Sequence, residues 1–476
     1  MNLSQTTAQT AETLRALSPA FLEKYNKSGP RYTSYPTAPE WSERVSSEDF
    51  RRHIRTKGTG KTDASLSLYF HIPFCEHRCR FCACNTIITE KREVIPPYLS
   101  ALDREMGIIA SEMETSGQQT RPVTQIHFGG GTPTYLSPQQ FVELMSQVRH
   151  YFHVVPDAEI SIEVDPCVTT DEHIHTLAEL GFNRISFGVQ DFNPDIQELI
   201  ERVQSVELTK HFTELSRKTG YHSVNFDLVY GLPLQRVETF GQTLDEVLRL
   251  RPDRIALYNF AYLPGKLAHQ RYLNPGILPN GQEKFRIFVA AYERFTREGY
   301  EYIGMDHFAV PEDPLSEARR NGTIQRNFMG YTTQAGTDLY AFGVSSISAT
   351  ESLYVQNTRK LNAYQKSVLQ DGQLPIERGV FLSEDDRIRK EVIYSLMCYG
   401  RVIKEEISKE FGISFDDYFS QEIPQLPAFE RDGLLSLSSD IIQITLLGHI
   451  FVRNIAMVFD KYLRVPRKQP TFSRTL

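Results

Sequence analysis

Apolar residues recur along this chain in two alternating rhythms. Short β-branched and aromatic runs are each followed by a stretch whose apolar positions fall three or four apart, the spacing of one helix face. The first run is Leu66–Ile72 (LSLYFHI), followed after a loop by Leu99, Leu102, Met106 and Ile109. The second is Thr124–Phe128, followed by Phe141, Leu144, Met145, Val148 and Phe152. That second helix is expected to open at Ser137-Pro138-Gln139-Gln140, since Ser with Gln three residues on is a capping box and Pro suits the first helical position. The alternation continues. Glu159–Val164 precedes Ile174, Leu177 and Leu180, and Arg184–Gly188 precedes Leu208, Phe212 and Leu215. Ser223–Val229 precedes Phe240, Leu244 and Val247, and Arg254–Phe260 precedes Phe285, Phe288, Tyr292 and Phe295. Gly181, Gly220 and Gly299 stand where helix-ending glycines are expected.

Six strand–helix units predict an α/β fold, a parallel sheet with helices outside. The pattern leaves an open doubly wound sheet and a full or partial barrel as alternatives. Both place a site at the C-terminal ends of the strands, where the polar residues and glycines cluster. Residues 1–60 read as an extension, irregular around GPRYTSYPTAPEW (Gly29–Trp41). Residues 61–374 carry the repeated units. Residues 375–476 read as a small, mainly helical domain, with helices around Glu384–Tyr399 and Lys404–Phe411 and a hairpin within Asp432–Gly448.

Composition narrows the function. The 476 residues are 40% hydrophobic and 23% charged, with a net charge of −7. This is an ordinary globular balance with no electrostatic footprint for nucleic acid or an anionic membrane. The opening MNLSQTTAQTAET lacks the basic and apolar regions of a signal peptide. The longest apolar run, Ile441–Val452, is too short for a membrane span and is broken by Gln443, Gly448 and His449. A cytoplasmic enzyme acting on a small molecule is expected, with no nucleic-acid or membrane partner.

Four of the six cysteines fall within ten residues, in HIPFCEHRCRFCACN. In a reducing compartment this argues for a metal or redox centre rather than disulfides. Cys75, Cys79 and Cys82 can hold three irons of a 4Fe-4S cube and leave the fourth iron open to a small molecule. The alternatives are a structural zinc site, with Cys84, His71 or His77 as fourth ligand, and four ordinary buried thiols. A single residue, Ala83, separates Cys84 from Cys82. That spacing favours a place beside the cluster, with a fourth-ligand role as the alternative. After the second strand, FGGGTPTYL (Phe128–Leu136) lets backbone approach a ligand closely. Glu163, Gln190, Arg202 and Asp227 lie at or near later strand ends.

CxxxCxxC directly after a first strand resembles the radical S-adenosylmethionine superfamily. The likeness tightens over nearly the whole chain. GPRYTSYPT, HIPFCEHRCRFCACN, GGGTPTYL, EISIEVDP, NRISFGVQDFN, DLVYGLP, GMDHFA and RNFMGYTTQ resemble the oxygen-independent coproporphyrinogen III oxidase family. The heme-chaperone branch carries HNxxYW on its C-terminal side, which is absent here, where the single Trp is Trp41.

The resemblance implies a partial TIM-like (β/α)6 barrel, a mainly helical C-terminal domain, and an N-terminal segment over the barrel mouth. It implies oxidative decarboxylation of two propionates of coproporphyrinogen III to vinyls, giving protoporphyrinogen IX in heme biosynthesis through a 5′-deoxyadenosyl radical. The implied cofactors are a 4Fe-4S cluster on Cys75, Cys79 and Cys82 and two S-adenosylmethionine molecules. Implied cofactor contacts come from Tyr69, Phe81, Gly130, Gly131 and Thr132. Further contacts come from Glu163, Gln190 and Arg202, and from Asp227, Ala261 and Ile347. Cys84, Tyr69, His71 and Phe328 are the catalytic candidates. The expected partners are the porphyrinogen and an external electron donor and acceptor, with the protein a monomer. A heme- or porphyrin-binding protein that kept the cluster without the reaction is the alternative function. One departure stands out: Met329 occupies a position where the family is expected to carry Gln, so an amide hydrogen-bonding group is missing there. Three alternatives follow: the position is not catalytic, a neighbour such as Gln334 substitutes, or activity is reduced.

Overall fold

The computed structural model describes residues 3–57, 64–465 and 472–475. The apolar runs become strands β1 (Leu66–Ile72), β2 (Pro122–Gly130), β3 (His153–Val164), β4 (Arg184–Gln190), β5 (Ser223–Tyr230) and β6 (Arg254–Asn259). Each pairs in parallel with the next. The intervening periodic stretches are helices α1 (Ile95–Thr115), α2 (Pro138–Tyr151), α3 (Asp171–Glu179), α4 (Val206–Thr219) and α5 (Val237–Leu250), with α6 (Gly281–Arg297) after β6. The predicted capping box starts α2: Ser137 Oγ accepts the Gln140 amide at 3.3 Å, and Gln140 Oε1 accepts the Ser137 amide at 2.9 Å.

Alternate strand residues are sealed beneath the helices. Phe70 packs between Phe128 and Phe342, with ring centroids 4.9 and 5.0 Å away. Ile162, Phe187 and Phe226 continue the layer with no exposed surface. Each such side chain contributes roughly 1.5–3 kcal/mol when buried. A one-residue slip would turn this set inward, so the outer packing fixes which residues face the barrel interior.

The sheet exceeds the six expected strands. A seventh parallel strand, Asp338–Phe342, pairs with β1, and its Asp338 receives the buried Arg121 guanidinium at 2.7 Å. The antiparallel strands Ile347–Ala349, Leu353–Asn357 and Ile376–Phe381 extend that edge. His307–Ala309 and Glu301–Gly304 extend the other edge beyond β6. Among the described residues the two edges do not pair with each other, so the barrel is partial. The buried Glu105 of α1 ties the helix layer to the added strands. Its carboxyl accepts the Gly343 amide at 2.9 Å, the Asn357 side-chain amide at 2.6 Å and the Tyr364 hydroxyl at 2.6 Å. Burial pushes its pKa up to about 7.

The domain boundary expected at residue 374 moves past Phe381. Ile376–Phe381 is a strand of the main sheet, not part of the C-terminal unit. Its sequence IERGVF mixes charge and glycine, which hides it from pattern reading. Beyond it, the helix Glu384–Tyr394 runs into a wider π turn ending at Tyr399. The predicted hairpin pairs Leu435–Leu437 with Ile441–Ile444, and Arg401–Ile403 adds a third strand.

The expected end of the N-terminal extension, residue 60, lies outside the described residues. The helix Leu3–Arg15 packs on α6, where Arg15 pairs with Glu293. The chain then passes the C-terminal end of β6 and inserts Arg31 against Asp306. Tyr32 donates to Asp460 at 3.1 Å, and Ser42 bridges Gly379 on the sheet edge, covering an otherwise open edge strand. The segment therefore borders the mouth only in part, and the rest straps the barrel to the C-terminal unit. Among the described residues no helix is long and apolar enough to cross a membrane.

Candidate active site

With Phe70, Phe128, Ile162, Phe187 and Phe226 turned outward, their neighbours face the barrel interior. Tyr69 stands opposite His127, His127 opposite Ser161, Glu163 opposite Ser186, and Ser186 opposite Asn225. Asp227 lies two residues on from Asn225. Ser186 Oγ donates to Asp227 at 3.0 Å, and the Asn225 amide donates to Ser186 at 2.7 Å and to Asp227 at 2.9 Å. His127 lies 2.7 Å from Ser161 Oγ and 3.4 Å from Glu163 Oε1. Burial opposes the charge on Glu163, but bonding and charge from His127 and the Gly130 amide outweigh it and hold Glu163 below its ordinary range. Asp227 is pushed up to about 7, by burial first and then by the Glu163 charge. The two carboxyls therefore differ in protonation near neutrality.

The end of β1 is fixed by a defined tautomer. His71 Nε2 lies 3.0 Å from the Asn85 carbonyl, which can only accept, so Nε2 carries the proton. Burial lowers the His71 pKa and keeps the ring neutral. Its Nδ1 then accepts the Tyr69 hydroxyl at 3.1 Å. The His71 ring lies against Gly130, whose φ is +119°, and a Cβ added there would sit 2.7 Å from the ring. The glycine turn also grips the cysteine loop. Gly131 donates to the Ile72 carbonyl at 2.8 Å and Thr132 to the Phe74 carbonyl at 2.9 Å. A Cβ on Gly131 would meet the Pro73 carbonyl at 2.7 Å.

This grip presents the thiols to a cavity of about 470 Å³ at the C-terminal ends of the strands. Cys75, Cys79, Cys82 and Cys84 all line it as free thiols. Cys75 lies 3.5 Å from Thr132 Oγ1. Burial pushes Cys75 up to about 11 and Cys79 to about 12, whereas hydrogen bonding from Cys84 brings Cys82 down to about 7. His269 reaches the Cys82 carbonyl at 2.7 Å. On the far wall Gln190 takes φ +66° at a bulge between Gly188 and Gln190. Arg202 pairs with the buried Asp165 and donates to the Gly188 carbonyl at 3.1 Å.

Gly130, Gly131, Thr132, Phe81, Glu163, Gln190, Arg202, Asp227 and Ala261 all line this cavity. Tyr69 and His71 stand in the wall behind it, bonded to each other. Phe328 and Ile347 are not brought to it. They belong to a separate apolar group with Trp41 and Tyr354, where Phe328 lies 5.7 Å from the Trp41 ring. Met329 instead lines a smaller inner cavity of about 130 Å³ that shares Glu163, Ser186, Asp227 and Tyr258 with the larger one. Gln334 is not in its wall. Sequence reading missed Asp165, His127, Ser161, Ser186 and Asn225. The alternation along each strand could have found the last four, because they occupy the same inward parity as Glu163 and Asp227.

Among the described residues no three His, Cys, Asp or Glu side chains converge as ligands of a single metal ion do. A 4Fe-4S cube takes one thiolate per iron. Three free thiols on one loop around a cavity of this size therefore suit a cube better than a four-ligand zinc site. The glycine turn brings bare backbone to the cavity wall, with its three amides already committed to Glu163, Ile72 and Phe74.

The Radical SAM superfamily model matches residues 69–247, and the HemN C-terminal domain model matches residues 382–451. Oxygen-independent coproporphyrinogen III oxidase from Synechocystis sp. is 43% identical over 96% of this chain and 97% of its own. The Pseudomonas aeruginosa protein of the same name is 44% identical over 96% of this chain and 98% of its own. The solved structure of coproporphyrinogen III oxidase (HemN) from Escherichia coli, a radical SAM enzyme, superposes with a TM-score of 0.86 at 42% identity, covering 91% of this chain and 97% of that one. The chain belongs to the oxygen-independent coproporphyrinogen III oxidase family of radical SAM enzymes.

Proposed function

We propose that this chain converts two propionate side chains of coproporphyrinogen III to vinyls with release of CO2, giving protoporphyrinogen IX. The observation that carries this is the shared cavity, in which Cys75, Cys79 and Cys82 face the Gly130–Thr132 turn and the Glu163–Asp227 pair. A 4Fe-4S cluster with S-adenosylmethionine supplies a 5′-deoxyadenosyl radical when reduced, and a second S-adenosylmethionine molecule is part of this reading.

The chain's own residues position and shield. Cys75, Cys79 and Cys82 hold the cluster, and Cys84 supports Cys82 by donating its S–H. The Gly130–Thr132 turn, whose amides are committed to Glu163, Ile72 and Phe74, meets the cofactor's polar end with its carbonyls, while Glu163 and Asp227 accept from its donors. Gln190 and Arg202 complete the opposite wall. Phe81, Val229 and Phe260 line the same cavity and exclude water. Tyr69 and His71 position the end of β1 against Gly130. Phe328 packs beside Trp41 and so positions Met329 in the inner cavity. An external electron donor and acceptor balance the reaction. The protein is expected to work as a monomer in the cytoplasm. Anaerobic incubation of the cluster-loaded protein with coproporphyrinogen III, S-adenosylmethionine and reductant tests the reading. Protoporphyrinogen IX and CO2 are the expected products, and a loaded protein giving neither would contradict it.

A further inference from the structure

A second, larger cavity of about 730 Å³ lies beside the cysteine cavity, and Asn259, Phe260 and Ala261 at the end of β6 form a wall of both. Its charge is one-sided. Lys27, Lys284 and Arg474 line it, and among the described residues no Asp or Glu side chain does. None of the three has an ion-pair partner among the described residues. Lys284 comes from the first turn of α6 and is held in place. Its Nζ donates to the Phe260 carbonyl at 2.8 Å and to Asn259 Oδ1 at 3.1 Å. Its stem crosses Gly231, where an added Cβ would sit 2.6 Å from Lys284 Cε. Burial lowers its pKa to about 8.

The other two cations come from opposite ends of the chain. Ser28 and Arg474 form an antiparallel bridge, and Thr475 donates to the Lys27 carbonyl at 2.7 Å. Both termini are thereby clasped across one side of the cavity. Phe260, Tyr262, Leu263 and Leu278 supply flat apolar wall between the charges. A cavity of this size is in the range that takes a cofactor-sized organic ligand.

We propose that this cavity docks a polycarboxylate tetrapyrrole, with Lys284, Lys27 and Arg474 holding its propionate carboxylates and the apolar wall taking the macrocycle beside the cofactor cavity. The assignment rests on the reaction read above, since it names where that substrate sits. A lysine point charge and an arginine fork are both suited to carboxylates, and three of them with no Asp or Glu lining the cavity among the described residues favour a ligand of high negative charge.

The test titrates coproporphyrin III, the stable four-carboxylate analogue, into cluster-loaded full-length protein and follows its fluorescence, with S-adenosylmethionine binding measured alongside. Lys284→Gln is expected to raise the coproporphyrin Kd by roughly tenfold or more. The combined Lys27→Gln, Lys284→Gln, Arg474→Gln variant should lose most of the salt dependence as well. Protoporphyrin IX, with two carboxylates, should be weakened less. Unchanged S-adenosylmethionine binding shows that the variants are folded. Wild-type protein that fails to bind coproporphyrin III would overturn the assignment, as would a combined variant that binds within about twofold of wild type. A wild-type protein that binds through these residues yet releases no CO2 would uphold the docking site and remove the reaction, so the two failures are distinguishable.

Discussion

Glu163 Oε2 accepts the Gly130 amide at 3.2 Å, joining the end of β3 to the glycine turn after β2. The same carboxylate meets His127 through its other oxygen. A single side chain thus sets the turn, the imidazole and the charge next to Asp227. Replacing Glu163 with Ala removes a charged acceptor from a buried backbone donor. Such bonds contribute about 1.5–3 kcal/mol, so a ten- to hundredfold rise in the S-adenosylmethionine Kd is expected. Isothermal titration of the cluster-loaded variant reads this directly.

Gly131 carries a steric prediction. A methyl group there would meet the backbone of Pro73 and Phe74 at 2.7 and 2.8 Å, and backbone cannot swing aside as a side chain can. Gly131→Ala should displace the cysteine loop at a cost of about 1–3 kcal/mol. The iron content per chain after reconstitution should fall with it. Full iron loading and an unchanged melting temperature would count against the described grip.

The Arg202–Asp165 pair is buried beside Cys79, with both side chains less than a tenth exposed. Arg202→Met leaves an uncompensated buried carboxylate, which typically costs about 3–5 kcal/mol. Asp165→Asn with Arg202→Met should recover part of that loss. Urea denaturation of the two single variants and the double variant measures the recovery.

Glu105 gives a pH-dependent stability with a definite sign. Its folded pKa is raised to about 7 by burial, above its ordinary value of 4.5. Between those values the folded chain holds a proton that the unfolded chain has released, so stability falls as pH rises. The loss is complete above pH 7 and amounts to about 3 kcal/mol. Glu105→Gln should flatten this slope when wild-type and variant unfolding curves are compared from pH 4 to 8, a window chosen roughly to bracket the two pKa values. A wild-type curve parallel to the variant's would contradict the assignment.

How much of this the sequence revealed depended on locality. The α2 capping box, the glycine stops and the six parallel strands depend on neighbours within a few residues, and each occurs where its pattern placed it. The strand Asp338–Phe342 escaped notice because it pairs with β1, which lies far back in the chain, and no periodic helix announces it. The boundary at residue 374 failed for the same reason, since Ile376–Phe381 is a strand only through its partner Leu353–Asn357. Within the site, Cys75, Cys79, Cys82 and the glycine turn were visible as compact motifs. Asp165 was not, because its role depends on a pairing with Arg202, 37 residues further along the chain. The resemblance makes Ile347 a cofactor contact and Phe328 a catalytic candidate, whereas the structure places them together around Trp41.

The central claim is that three thiols hold a 4Fe-4S cluster with one iron open to S-adenosylmethionine. Electron paramagnetic resonance of the reduced, reconstituted protein, recorded with and without S-adenosylmethionine, tests it most directly. A 4Fe-4S signal whose line shape shifts when S-adenosylmethionine is added is the predicted result. A colourless, zinc-bearing preparation would contradict it, as would a cluster signal that S-adenosylmethionine leaves unchanged.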